Sequence, residues 1–261
     1  MWICKRTAQD VGIVARCLQW CYTATLIWWY EWCEGSVIRE PETSVGVSQP
    51  EVEMQETGFD DEIRVAIVGA GGYGRVALDV LLESGSGGEI LGFYDDAHAA
   101  LSDKVRGFPV LGDIAMLKSM LSVEQVHVIV AITDNRARLS VANSIRGIGG
   151  RFMTAVHPLA YLSGAATVGD GSVLAPGAVV HPDAVIGSHC YVGSNAVVER
   201  DATVGAGVWI SSGAVVGSGV RIGARCSLGH NASVGRKAVV EADARVAAVQ
   251  VVEGELAGGG V

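Results

Sequence analysis

The 261-residue sequence predicts two domains of different class in one chain, a small Rossmann-like parallel-sheet domain followed by a parallel β-helix of hexapeptide repeats. Three observations carry that prediction. Between residues 63 and 156, apolar strand patterns alternate with helical ones, which means a parallel sheet with helices on its faces. From Leu162 to Val252 every sixth residue is Leu, Ile or Val, sixteen positions without a slip in register. Glycine reaches 35 residues, well above the usual ~7% share, yet does not recur every third residue as in collagen.

The elements of residues 63–156 read in order. Ile63–Val68 is a continuous apolar strand that ends in Gly69-Ala70-Gly71-Gly72-Tyr73-Gly74. Residues Arg75–Glu83 have helical spacing through Val76, Leu78, Val80 and Leu81. A second strand, Ile90–Tyr94, closes on Asp95-Asp96, and a short helix covers Asp113–Leu121. His127–Ile132 is a third strong strand, Asn135–Arg146 a helix and Arg151–Val156 a final strand. With about 94 residues this is a small, truncated doubly wound domain.

Residues 157–252 obey a different rule. The residue after each aliphatic anchor is often glycine, as at Gly169, Gly187, Gly193, Gly205, Gly217, Gly223, Gly229 and Gly235. Four after the anchor the residue is small in almost every hexad, Val208 and Val220 being exceptions. Six residues make one short strand and a corner, and three such units close a triangular coil. Coils then stack at the ~4.8 Å strand spacing, with the aliphatic ladder inside and glycine expected at the sharp turns. Five coils span 162–251, a rod of roughly 25 Å. Cys190 and Cys226 share a ladder two coils apart, too far for a disulfide.

Residues 1–62 read as a Trp- and Cys-rich extension with an acidic linker, and 253–261 as a flexible tail. Five of the six tryptophans lie within the first 32 residues, as do Cys4, Cys17 and Cys21, with Cys33 beside them. These cysteines have no histidine nearby and no metal spacing, so unpaired cytosolic thiols are expected. Residues 40–62 hold eight acids, no Lys or Arg, and Pro41 and Pro50. With Met54 nine residues before the first strand, residues 1–53 are expected to be dispensable. The formal charge of −9 is mostly this linker, leaving a near-neutral body with no footprint for nucleic acid. The uncharged run Cys17–Tyr30 is too short to span a bilayer, and no secretory signal is recognisable, so a cytoplasmic protein is expected.

The strand–GAGGYG–helix opening, the Gly92–Asp96 strand end (GFYDD), the His157-Pro158 junction and the hexad grid together resemble one family. It is that of the bacterial sugar acyltransferases related to the sialic acid O-acetyltransferase and the UDP-amino-sugar N-acetyltransferases, and the likeness covers about 63–247. The resemblance implies a left-handed β-helix, a homotrimer, and acyl-CoA (acetyl-CoA foremost, with no metal) bound in grooves between neighbouring helices. It implies also a sugar or nucleotide-sugar acceptor in the α/β domain, where Gly71, Gly72, Tyr73, Asp95 and Asp96 are the candidate substrate-binding residues. Read by itself, Gly69-x-Gly71-x-x-Gly74 with Asp95 also suits a dinucleotide, held by close backbone approach and a helix N-terminus. NAD therefore stays open as an alternative ligand, as do glycines that merely turn a strand into a helix.

The catalytic positions depart from the family. Its histidine base and orienting acid fall on Arg200 and Asp201, a second histidine falls on Trp209, and a third on Tyr73. Arginine stays protonated near neutral pH and cannot accept the proton, although it could bind a phosphate or an oxyanion. Trp209, Ser218 and His230 are the candidate cofactor-binding residues. His181 stacks one coil from Glu199, the nearest His–carboxylate pairing on the grid, and otherwise reads as a solvated corner residue. Three functions stay in view: an acyl-CoA-dependent transferase acting on a sugar amine or hydroxyl, a trimeric nucleotide- or sugar-binding scaffold that has lost the chemistry, and a small oxidoreductase. The last lacks any Tyr-x-x-x-Lys or comparable hydride-transfer motif.

Overall fold

The computed structural model describes residues 63–85 and 88–258; the expectations for the N-terminal extension, the linker and the last three residues lie outside the described residues. The α/β domain opens with β1 (Arg64–Val68), α1 (Gly72–Ser84) and β2 (Glu89–Tyr94). Next come the short strands β3 (Lys104–Val105) and β4 (Phe108–Gly112), then α2 (Ile114–Leu121), β5 (His127–Val130), α3 (Asn135–Arg146) and β6 (Arg151–Phe152). They form one sheet in the order β3-β4-β2-β1-β5-β6.

The sheet is parallel except at one edge, where β3 and β4 make an antiparallel hairpin that the sequence reading left out. Their short, half-exposed pattern, interrupted by Arg106, Gly107 and Pro109, gave no periodic signal. Asp113 and Asp134 cap α2 and α3 by accepting the amides of Met116 and Ala137.

The expected strand Arg151–Val156 is in fact two. Arg151–Phe152 pairs with β5, whereas β7 (Ala155–Val156) pairs with β10 (Val173–Leu174) and is already the first rung of the β-helix. The chain changes sheet at Met153-Thr154, so the continuous apolar run hid the boundary. From Ala155 onward, short strands alternate among three parallel sheets of six strands each, one more layer than the five coils expected. This is the left-handed parallel β-helix, and the anchors from Leu174 through Val252 line its buried core.

Two expectations about this region are corrected. The tail does not begin at 253: β24 (Glu255–Leu256) pairs with β21 (Val239–Val240), and Leu256 packs on the core four residues after Val252 instead of six. The glycines after the anchors are not the left-handed turns either. Positive φ falls three residues after the anchor, at positions such as Asp183, His189, Asn195 and Asp201. The glycines that follow the anchors are required for a different reason. A Cβ on Gly187 or Gly205 would stand 2.7 or 2.6 Å from the backbone nitrogen of Ala206 or Ala224 in the next coil. Coil spacing thus excludes a side chain there.

The two domains share a core. Ala77, Leu78 and Leu81 of α1 pack together with Ala155, Val173, Ala175 and Tyr191, so α1 lies between the α/β sheet and one face of the β-helix. A separate core beneath α2 and α3 closes the sheet's other face.

Candidate active site at the domain junction

A cleft of about 310 Å³ opens at the carboxyl ends of β1, β2 and β5, lined by the Gly69–Tyr73 loop, Tyr94, Asp95, Asp96, Ile114 and Ala131–Thr133. This is where open parallel sheets bind ligands, because the chain leaves β1 and β5 in diverging directions. Gly69 has φ 101°, and a Cβ there would meet the Ala131 carbonyl; one on Gly74 would overlap the carbonyl oxygen of Gly69. Those two glycines build the loop. A Cβ on Gly71 meets nothing within 4 Å, and one on Gly72 only the tip of Arg75, so the fold itself does not need these two. Gly71 is the N-cap of α1, without a side-chain cap, and the first turn carries no acid. The helix end therefore presents unopposed amide dipoles beside the cleft.

Asp95 lines the cleft and also braces its wall. Its Oδ2 accepts the Ala70 amide and its Oδ1 the Ala97 amide, both at 2.9 Å, which stitches the glycine loop to the end of β2. Asp96 is exposed and accepts the Ile114 amide through Oδ1. No Lys or Arg lines the cleft, so its hydrogen-bond donors are backbone amides and the Thr133 hydroxyl.

Tyr73 turns away from solvent. Its ring is buried and meets Tyr191 at 5.0 Å and Trp209 at 4.9 Å, both edge-on, while Tyr191 and Trp209 lie 4.3 Å apart. The hydroxyl has no partner, and burial raises its pKa far above the ordinary value, partly countered by Arg138. Two positions singled out separately in the sequence, Tyr73 and Trp209, are thus in contact across the domain junction. Neither side chain is a proton acceptor at neutral pH.

Beneath Trp209 lies Arg138, fully buried, its guanidinium carbon 5.7 Å from the indole centroid. Its nitrogens donate to the carbonyls of Ile132 (2.7 Å), Thr133, His189 (2.9 Å) and Gly207 (2.9 Å) and to Asn135 Oδ1 (2.7 Å). All five N–H groups are satisfied without a carboxylate. Burial lowers the pKa, yet a guanidinium stays cationic. Asn135 Nδ2 in turn donates to the carbonyls of Arg225 and Cys226 and to Ser227 Oγ. One end of α3 therefore ties the cleft wall at Ile132-Thr133 to the β-helix. Nearby, Asp243 accepts both Arg225 and Arg136, and the Arg225 hydrogen bond holds its carboxyl down at about 2. Sequence reasoning missed Asn135 and Arg138, although both lie on the stripe Asn135, Arg138, Ala142, Ile145 that α3 buries. Polar residues on an otherwise inward face were the available signal.

His189 plugs the other end of α3. It is 2% exposed, stacks edge-on against Phe152 at 4.5 Å, and its Nε2 lies 3.1 Å from an Arg146 nitrogen that also pairs with Asp170. Burial lowers its pKa to about 4.

Arg200 and Asp201 sit elsewhere, exposed on the corner after β14 (Val197–Val198), with their charged atoms 3.8 Å apart. Ser218, on the corner after β17 (Val215–Val216), is one coil above Arg200 and buried. His230 is exposed on another corner, after β19 (Ser227–Leu228). Within one chain, then, the structure joins Tyr73, Trp209 and the cleft, and leaves Arg200, Asp201, Ser218 and His230 on other edges of the prism.

Residues 64–145 match the PglD N-terminal domain, and residues 165–200 and 201–236 each match the bacterial transferase hexapeptide (six repeats). Among solved structures, the chain is similar to the acetyltransferase domain of PglB from Neisseria gonorrhoeae FA1090. The two are 32% identical, with 74% of this chain and 93% of that one covered and a TM-score of 0.70. That domain has also been solved in complex with acetyl coenzyme A. PerB from Caulobacter crescentus, solved in complex with CoA and GDP-perosamine, is 30% identical over 74% of this chain and 89% of its own, with a TM-score of 0.68. No curated protein matches. A PglD-type α/β domain, a hexapeptide β-helix and this degree of identity to the acetyltransferase domain together establish that the chain belongs to the hexapeptide-repeat sugar acyltransferase family.

Proposed function

We propose that the protein transfers an acetyl group from acetyl-CoA to an amino or hydroxyl group of a nucleotide-linked sugar. The observation that carries this reading is the cleft at Gly71-Gly72, where the chain leaves its backbone bare for a ligand. A nucleotide-sugar diphosphate would accept the amides at the start of α1. The neighbours support both ligands, since PerB is solved with CoA and GDP-perosamine and the PglB domain with acetyl coenzyme A. Gly71, Gly72 and Asp96 hold the acceptor in this reading. Asp95 shapes the loop, and Tyr73 with Trp209 forms an apolar wall where the sugar end emerges.

The working unit is a homotrimer in the cytoplasm. Arg200, Asp201 and Ser218 lie on a different prism edge from the Tyr73–Trp209 wall, and copies packed side by side bring one chain's corner to the next chain's wall. Acetyl-CoA lies in that groove, touched by Ser218, His230 and the outer edge of Trp209. Arg200 serves as a cation for the developing oxyanion, because it cannot take the acceptor's proton.

Calorimetric titration of the full chain with acetyl-CoA tests this, followed by thiol release with nucleotide-linked amino sugars. Saturable micromolar binding near one site per chain, and release that depends on the acceptor, are expected. A trimer that binds the nucleotide sugar but not acetyl-CoA would instead establish a binding scaffold, which the loss of histidine at positions 73, 200 and 209 favours.

A further inference from the structure

Acetyl transfer needs a group that takes the acceptor's proton, and on the transferase reading above neither Arg200, Tyr73 nor Trp209 supplies one. Four histidines belong to the junction and β-helix. His157 Nδ1 accepts the Leu159 amide and shapes the turn at the junction. His189 is buried against Phe152 and Arg146. His230 is exposed, but its ladder neighbours one coil away are Ser212 and Ala248, with no carboxylate. His181 differs. Strand β11 (Val179–Val180) pairs with β14 in the register Val180↔Val198, and the His181 amide donates to the Val198 carbonyl at 2.9 Å. That register sets His181 beside Glu199 on the adjacent coil, about 4.8 Å apart along the stack. Both side chains are half-buried, and no hydrogen bond or ion pair within the described residues engages either ring nitrogen of His181 or the Glu199 carboxylate. Tyr161 of the coil below meets the imidazole edge-on at 6.5 Å.

From this placement we infer that His181 is the general base of the transfer, oriented by Glu199. It works on the same prism edge as Arg200, one coil earlier in the stack. The charged residues nearest it in the ladder register are Glu199, followed by Arg200 and Asp201 on the same corner of the next coil, and Asp183 on its own corner. A neutral imidazole nitrogen accepts the proton as the acceptor's nitrogen or oxygen forms its bond to the thioester carbonyl carbon. The carbon–sulfur bond then breaks, and the imidazolium returns the proton to the departing thiolate, giving the acetylated sugar and CoA. Arg200 faces the oxyanion, so the base and the oxyanion donor occupy neighbouring coils.

The test uses the full chain in two arms. In turnover, His181→Asn should lower kcat by ~10²–10³-fold and flatten the rise of rate with pH, with free imidazole restoring part of the rate to His181→Ala. Glu199→Gln should lower kcat about tenfold with KM little changed, as expected of a positioning group. Without any acceptor, diethyl pyrocarbonate modification of each histidine is read by mass spectrometry, and saturating acetyl-CoA should protect His181. An active parent whose rate and pH profile survive His181→Asn overturns the inference and leaves the transferase reading standing, as does bound acetyl-CoA that gives no protection. A parent that neither binds acetyl-CoA nor turns over any acceptor removes both.

Discussion

In the β-helix, Gly187 and Gly205 are clamped by the backbone of the next coil, whereas in the α/β loop Gly71 faces empty space. The same residue type serves packing in one region and ligand access in the other. The difference lies in what occupies the volume a Cβ would take. Gly69 and Gly74 show that even neighbours in one loop divide this way, since their missing Cβ atoms make room for the Ala131 and Gly69 carbonyls. A glycine motif is therefore two statements, one about a turn and one about a ligand, and only the surrounding atoms separate them.

The contrast can be broken most severely in the β-helix. Gly205→Val drives a branched side chain against the Ala224 backbone and should cost about 3 kcal/mol or more, lowering Tm in thermal denaturation by roughly 6–12 °C. Arg138→Met comes next. It strips the carbonyls of Ile132, His189 and Gly207 of their donor at the junction and should cost about 2–3 kcal/mol, read from denaturant midpoints.

A pH titration of stability probes His189. Its native pKa of about 4 lies below the ordinary 6.5, because burial disfavours the cation. Between those values the unfolded chain binds more protons than the native one, so stability rises with pH across the window and is lost as pH falls from 6.5 towards 4. His189→Asn suits the left-handed backbone at φ 56° and should flatten the slope in that window. Gly71→Ala sharpens the contrast from the other side. Tm should stay within the error of a silent substitution, about 0.5 kcal/mol, while nucleotide-sugar affinity measured by calorimetry falls about tenfold. Asp79→Ala, which removes an exposed ion pair with Arg106, should shift stability by under ~1 kcal/mol and leave ligand affinity unchanged.

The hexad grid was legible because its cause is local and repeated. Each anchor meets the same neighbours one coil away, so one rule of six residues describes the whole core. Where the repeat stops being uniform, legibility stops too, as at the shortened turn to Leu256 and at Ala155–Val156, whose apolar pair suits either sheet. The candidate site was legible only in part. The glycine loop and Asp95-Asp96 lie together in sequence and in space, but the two bonds by which Asp95 also braces the loop go to backbone amides that no side-chain pattern reveals.

The amino-acid order by itself determined the two fold classes and their succession, since strand and helix periodicities and the six-residue repeat are short-range properties of the chain. Only the tertiary structure decided that Tyr73 meets Trp209, that Arg138 is buried among carbonyls of both domains, and that Asn135 grips the β-helix. The physical reason is common to all three. Each contact joins segments far apart in the chain, and its existence depends on how α1 and α3 dock against one face of a finished prism, a relation that no local periodicity encodes.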